Sequence, residues 1–151
     1  MALKAGDPAP NFTGPIETGD VVSLKDFAGR KLILYFYPQD NTPTCTDEAC
    51  NLRDGWQQLK KAGYEILGVS PDSTRKHTNF INKFGLPFHL LADKDKKVIQ
   101  SYGVWGPKKL FGREYDGVLR TTFIIDENGK IERIIDDVNS KNHANQILEI
   151  Q

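Results

Sequence analysis

The sequence has only two cysteines, Cys45 and Cys50, and a single methionine in 151 residues. So small a cysteine count argues against a disulfide-stapled secreted scaffold. In a reducing compartment, such a pair signals catalysis, metal binding or redox sensing more often than structure. Charge of one sign is also missing: 20 Lys and Arg stand against 20 Asp and Glu, a formal net charge of zero. That balance argues against a protein drawn electrostatically to nucleic acid or to an anionic membrane surface. Long apolar runs are absent, because the longest, residues 32–37, is far short of the roughly 20 residues that span a bilayer. Residues 1–10 hold one lysine and two prolines and no signal-like apolar stretch, so the expected location is the cytoplasm. No internal repeat, low-complexity block, Walker loop or dinucleotide fingerprint occurs.

What remains reads as one domain, residues 1–151, since domains cluster near roughly 100 to 150 residues. Residues 31–37 (KLILYFY) form a continuous apolar and aromatic run ended by Pro38, which predicts a central strand buried on both faces. Residues 44–61 carry Ala49, Leu52, Trp56 and Leu59 at helical spacing, with Gly63 as a stop. A second buried strand follows at 64–70, then a helix over 73–84 capped by Ser73 and stopped by Gly85, and a short strand at 88–91. Residues 94–102 read as a helix and 106–117 as an irregular surface segment holding the basic residues Lys108, Lys109 and Arg113. Residues 119–126 and 130–136 flank Asn128-Gly129, a strong hairpin signal, and a last helix spans 140–150. The order predicts an α/β architecture with a mixed central sheet flanked by helices.

The cysteines open the second of these elements. Thr44 is read as the helix N-cap with Asp47 as its capping-box partner, which places Cys45 in the first turn. Unpaired N–H groups and the positive end of the helix dipole favour a thiolate there. A thiol of ordinary pKa, about 8.5, is only about 3% ionised at pH 7, and a helix end supplies about 1 kcal/mol or less. A reactive thiolate at this place therefore calls for a cation, the more so because Asp47 and Glu48 oppose it. Cys50 lies five residues on, and on an ideal helix the two Cα atoms are about 8.7 Å apart. A disulfide needs less than about 7 Å, so any such bond requires the helix to unwind. Metal is disfavoured, because Cys-x4-Cys offers two ligands and His77, His89 and His143 stand alone. From spacing alone, two packed thiols remain an open alternative.

Pro38, Thr42 and Cys45 give P-x-x-x-T-x-x-C after a buried strand and at the start of a helix, where α/β folds build sites. With YFYPQDNTPTCTDEACNLRD (residues 35–54), YGVWG (102–106) and DGVLRTTFIIDENGKI (116–131), the chain resembles the peroxiredoxins of the bacterioferritin comigratory protein, or Q-type, group. The resemblance implies a thioredoxin-like fold and a thiol peroxidase needing no metal, haem or flavin cofactor. It implies that Cys45 is the peroxidatic cysteine, which becomes a sulfenic acid, and Cys50 the resolving cysteine. By the same resemblance, Thr42 positions the peroxide, Arg120 supplies the cation, and Pro38 walls the pocket from water. The implied substrates are hydrogen peroxide and small or lipid hydroperoxides. The implied electron donor is thioredoxin, with glutaredoxin or glutathione as alternatives. A resolving cysteine in the same chain makes catalysis independent of a dimer, and a monomer is expected. Thr44 departs from the group, which usually has glycine before the peroxidatic cysteine, so the loop is expected at negative φ. Two other functions fit parts of the pattern: a redox-sensing binding module using the same disulfide switch, and a general thiol-disulfide oxidoreductase, against which the missing Cys-x-x-Cys counts.

Overall fold

The computed structural model describes residues 3–149. Strands β1 (Thr13–Pro15) and β2 (Val21–Ser23) form a small antiparallel ribbon. Then come β3 (Lys31–Phe36), α1 (Pro43–Asp54), α2 (Trp56–Lys61), β4 (Tyr64–Ser70), α3 (Thr74–Phe84) and β5 (His89–Ala92). The chain continues through α4 (Lys97–Ser101), β6 (Trp105–Leu110), β7 (Arg113–Val118), β8 (Thr121–Ile125), β9 (Ile131–Ile135) and α5 (His143–Leu148). Five strands make the central sheet in the order β5-β4-β3-β8-β9, with β3 in the middle. β4 runs parallel to β3 and β5 to β4, whereas β8 and β9 join antiparallel, so the sheet is mixed.

The alternation of β3 explains the layers. Leu32, Leu34 and Phe36 point into one core with Phe12, Ile99, Tyr102 and Phe123. Ile33 and Tyr35, with Tyr37 just beyond the strand, point into the other, with Cys45, Leu52, Leu59, Phe80 and Ile147 from the flanking helices. Residues 32–36 are at most 1% exposed, as a doubly covered strand requires. Among the described residues no helix is long and apolar enough to cross a membrane.

Several local expectations need correction. The helix expected over 44–61 is two helices broken at Gly55. A Cβ at Gly55 would sit 2.6 Å from the Cβ of Ala144, so the break lets α5 pack directly on the end of α1. Gly55 has φ −89° and ψ 2°, a conformation any residue adopts, so the need for glycine is steric. Gly55→Ala is therefore expected to lower stability by about 1–3 kcal/mol through overpacking, read as a lower urea midpoint. An unchanged midpoint would contradict the close contact with α5.

The N-cap of α1 is Thr42, not Thr44, and there is no capping box with Asp47. Pro43 decides this: its fixed φ and missing N–H suit the first helical position. Thr44 is then helical, at the negative φ expected of it. Residues 106–117, expected to be irregular, form the β6–β7 hairpin, paired from Trp105–Val118 to Leu110–Arg113. Its two-residue turn holds Phe111 at φ 53° and Gly112 at φ 77°, the doubly positive geometry that matches strand twist. A phenylalanine is an uncommon first residue for such a turn, which hid the hairpin from the sequence. The helix expected over 94–102 shrinks to α4, and that over 140–150 to α5; its expected end, residue 150, lies outside the described residues. Ser73 caps α3 as expected, its hydroxyl accepting from the Lys76 N–H at 3.2 Å, and Gly85 follows in the left-handed conformation.

Candidate active site

The chain leaves β3 at Tyr37 and reaches α1 through residues 38–42, a connection held down by buried polar groups. The Tyr37 hydroxyl donates to Asp40 Oδ1 at 2.5 Å, and the Asp40 N–H donates to Asp72 Oδ2 at 2.7 Å. His77 joins Asp40 Oδ2 through Nδ1 at 2.7 Å and the Leu91 carbonyl through Nε2 at 3.0 Å. These bonds tie the connection to α3 and to β5. The Thr42 hydroxyl donates to the Gln39 carbonyl at 3.0 Å, closing the loop immediately before the helix, and Pro38 is half-buried at its start.

Pro43 fixes the first helical position, so Cys45 occupies the third, where main-chain N–H groups lack carbonyl partners within the helix. Its side chain is only 1% exposed. Arg120, on the short link between β7 and β8, reaches across to it: Nη2 lies 3.2 Å from Cys45 Sγ. The same guanidinium donates from Nη1 to Glu48 Oε1 at 2.7 Å. Arg120 is held above even its ordinary high pKa: burial opposes the charge, but Glu48 and the Cys45 sulfur more than offset it. The cation demanded by helix-end electrostatics is thus in contact with the sulfur.

A second cation flanks the site. Lys108 of β6 donates from Nζ to the Val118 carbonyl at 2.9 Å. Burial, then Arg120, lowers its pKa, while Cys45 pulls the other way. The basic run at 106–117 therefore divides: Lys109 and Arg113 are exposed, whereas Lys108 is half-buried beside the site. Cys50, further along α1, has the opposite environment. Burial raises its thiol pKa against the pull of Arg53, and Asp54 and Asp47 raise it further. Both cysteines are free.

The AhpC/TSA family profile matches residues 5–134. The chain belongs to the AhpC/TSA peroxiredoxin family. As a peroxiredoxin it is an enzyme, a peroxidase. It is 48% identical over 148 residues to a putative peroxiredoxin Bcp of Coxiella burnetii, covering 98% of each chain. It is 47% identical over 146 residues to the peroxiredoxin Bcp of Escherichia coli K12, covering 97% of this chain and 94% of that one. Among solved structures, it superposes with a TM-score of 0.88 and 32% identity on the Xanthomonas campestris bacterioferritin comigratory protein, studied for its alkyl peroxide reduction activity, over 96% and 95% of the two chains. The peroxiredoxin fold, a thioredoxin-like α/β sheet with flanking helices, is the one described above.

The structure brings Cys45 and Arg120 into contact and places Thr42 and Pro38 on the connection that delivers Cys45. Cys50 sits on the same helix, half-buried. Sequence reasoning treated Glu48 only as an opposing charge and His143 as a lone histidine. Glu48 is fully buried, with burial raising its carboxyl to about 7 despite Arg120. Its spacing offered a signal, since residues three apart on a helix are neighbours, and an acid one turn beyond a reactive cysteine shares its cation. Among the described residues no group of three or more His, Cys, Asp or Glu could hold a metal ion.

Proposed function

We propose that this peroxiredoxin reduces peroxides through Cys45 and closes its cycle through Cys50. The Cys45 thiolate attacks one peroxide oxygen, an S–O bond forms as the O–O bond breaks, and the other oxygen leaves with a proton as water or alcohol. The sulfenic acid condenses with the Cys50 thiol, releasing water and forming an intrachain disulfide. An external dithiol then reduces that bond. Arg120 stabilises the thiolate and the charge developing on the leaving oxygen, Thr42 positions the peroxide, and Pro38 shields the sulfur. The observation that carries the proposal is the guanidinium contact of 3.2 Å to a buried cysteine in the first turn of α1.

Hydrogen peroxide and organic hydroperoxides are the proposed substrates. Arg120 also borders a groove of about 540 Å³ lined by Val104, Leu119 and Phe123, residues of the core on the other face of the sheet from Cys45. Thioredoxin is the proposed donor, the cytoplasm the proposed location and a monomer the proposed working unit, in keeping with a resolving cysteine on the same helix.

The test of the donor is NADPH consumption by this protein with thioredoxin, thioredoxin reductase and hydrogen peroxide. Sustained turnover is expected. Rapid loss of one thiol pair on adding peroxide, without turnover, would overturn the thioredoxin assignment and favour a redox-sensing module.

A further inference from the structure

His143 is fully buried at the start of α5, beside Glu48 on α1. The two helices are joined by Asn51, whose side chain donates to the Lys141 carbonyl at 2.9 Å and accepts from the Ala144 N–H at 2.8 Å. This clamp holds His143 in place, and its neighbours fix where its hydrogens lie. Gln146 donates from Nε2 to the Asp137 carbonyl and accepts at Oε1 from the Asn139 N–H, which settles its amide orientation. Its Oε1 lies 2.8 Å from His143 Nδ1, so that nitrogen carries a hydrogen. In the neutral ring Nε2 is then an acceptor, 2.8 Å from the Thr122 hydroxyl.

Glu48 Oε2 faces the same nitrogen at 3.6 Å and has no hydrogen-bond partner among the described residues. With Nε2 neutral and its lone pair taken by the Thr122 hydroxyl, an ionised Oε2 is left facing it with no donor and away from water, a costly arrangement. One proton, on either atom, removes the conflict. We propose that His143 is a positioning residue of the active site: it shares a single proton with Glu48, and that proton decides how much of the Arg120 charge is left for Cys45. With the proton present the pair is neutral, and Arg120 is directed to the sulfur. Without it, the pair carries a full negative charge that holds Arg120 from the other side and repels the thiolate.

The surrounding charges agree. Glu48 faces Arg120 and acts on the Tyr35 hydroxyl, while Arg120 and Arg133 act on His143. Burial raises the carboxyl to about 7 and lowers the imidazole, so both groups favour their neutral forms, which together hold the one shared proton.

The inference rests on Cys45 being the group that attacks peroxide, and the test separates the two. Single-turnover rates with hydrogen peroxide are measured against pH in a Cys50→Ser background. The expected rate falls with rising pH as the pair loses its proton. Glu48→Gln imitates the protonated carboxyl, its oxygen accepting from Arg120 and its amide donating to His143, so the fall disappears. In His143→Gln the amide donates to Glu48 and favours the carboxylate, so the fall moves down by about one pH unit, a tenfold change in proton affinity. In the wild-type protein, the ¹⁵N signal of His143 Nε2 moves over the pH range of the fall, a readout independent of how the variants fold. The same fall in all three proteins, or an Nε2 signal that stays flat across it, would overturn the shared proton. Absence of any peroxide reaction at every pH would instead overturn the role of Cys45.

Discussion

Cys45→Ser is expected to abolish peroxide reduction, while Cys50→Ser is expected to consume one equivalent of peroxide and stop. The difference follows from the two environments on one helix. Cys45 has the open N–H groups of the first turn and the Arg120 guanidinium at 3.2 Å, so its anion is stabilised where it must react. A serine hydroxyl in the same place is far less acidic than a thiol and cannot form the sulfenic acid. At Cys50 the pull of Arg53 is outweighed: burial, with Asp54 and Asp47, keeps it a thiol, suited to wait and then condense. Removing it leaves the first step intact and strands the sulfenic acid, which a small thiol but not a disulfide-exchanging donor can clear. The check is peroxide consumed per protein together with NADPH use in the coupled assay. Full thioredoxin-coupled turnover by Cys50→Ser would remove its assigned role, and residual catalysis by Cys45→Ser would remove that of Cys45.

The second large effect falls on Arg120. Arg120→Ala is expected to slow attack on hydrogen peroxide by about a hundred- to a thousandfold, the scale of losing one preorganised charge-stabilising donor. Arg120→Ala also removes the hydrogen bond that Glu48 Oε1 accepts, and a buried polar group left unpaired is costly. The double variant Arg120→Ala/Glu48→Gln separates the two consequences, restoring stability without restoring rate. Arg120→Lys should recover little, since an ammonium cannot hold Glu48 and Cys45 at once as Nη1 and Nη2 do. An Arg120→Ala rate equal to that of wild type would contradict the assignment.

Much of the frame was legible in the sequence, because it rests on local pattern. The apolar run of β3, the stop at Pro38, the capped α3 and the Asn128-Gly129 hairpin each declare themselves within a few residues. The strand-to-helix site at Cys45 was legible for the same reason. What escaped depends on contacts across the chain. Gly55 breaks the helix because of Ala144, nearly ninety residues away, and nothing near Gly55 announces it. Lys108 looked like part of a solvated basic run until the β6–β7 hairpin folded it towards Arg120. Glu48 and His143 read as an unfavourable charge and an isolated ring, and only the docking of α5 on α1 makes them one unit. The resemblance supplied Arg120 as the cation, but not that its second nitrogen is held by a buried acid.

The most direct test of the whole account is to add one equivalent of hydrogen peroxide to the reduced protein, digest it without reductant, and identify by mass spectrometry how Cys45 and Cys50 are linked. The account predicts rapid loss of both thiols and an intrachain Cys45–Cys50 disulfide, accompanied by loss of helical signal as α1 unwinds to let the sulfurs meet. Both thiols still free after the peroxide is added, or a disulfide only between separate chains, would contradict it.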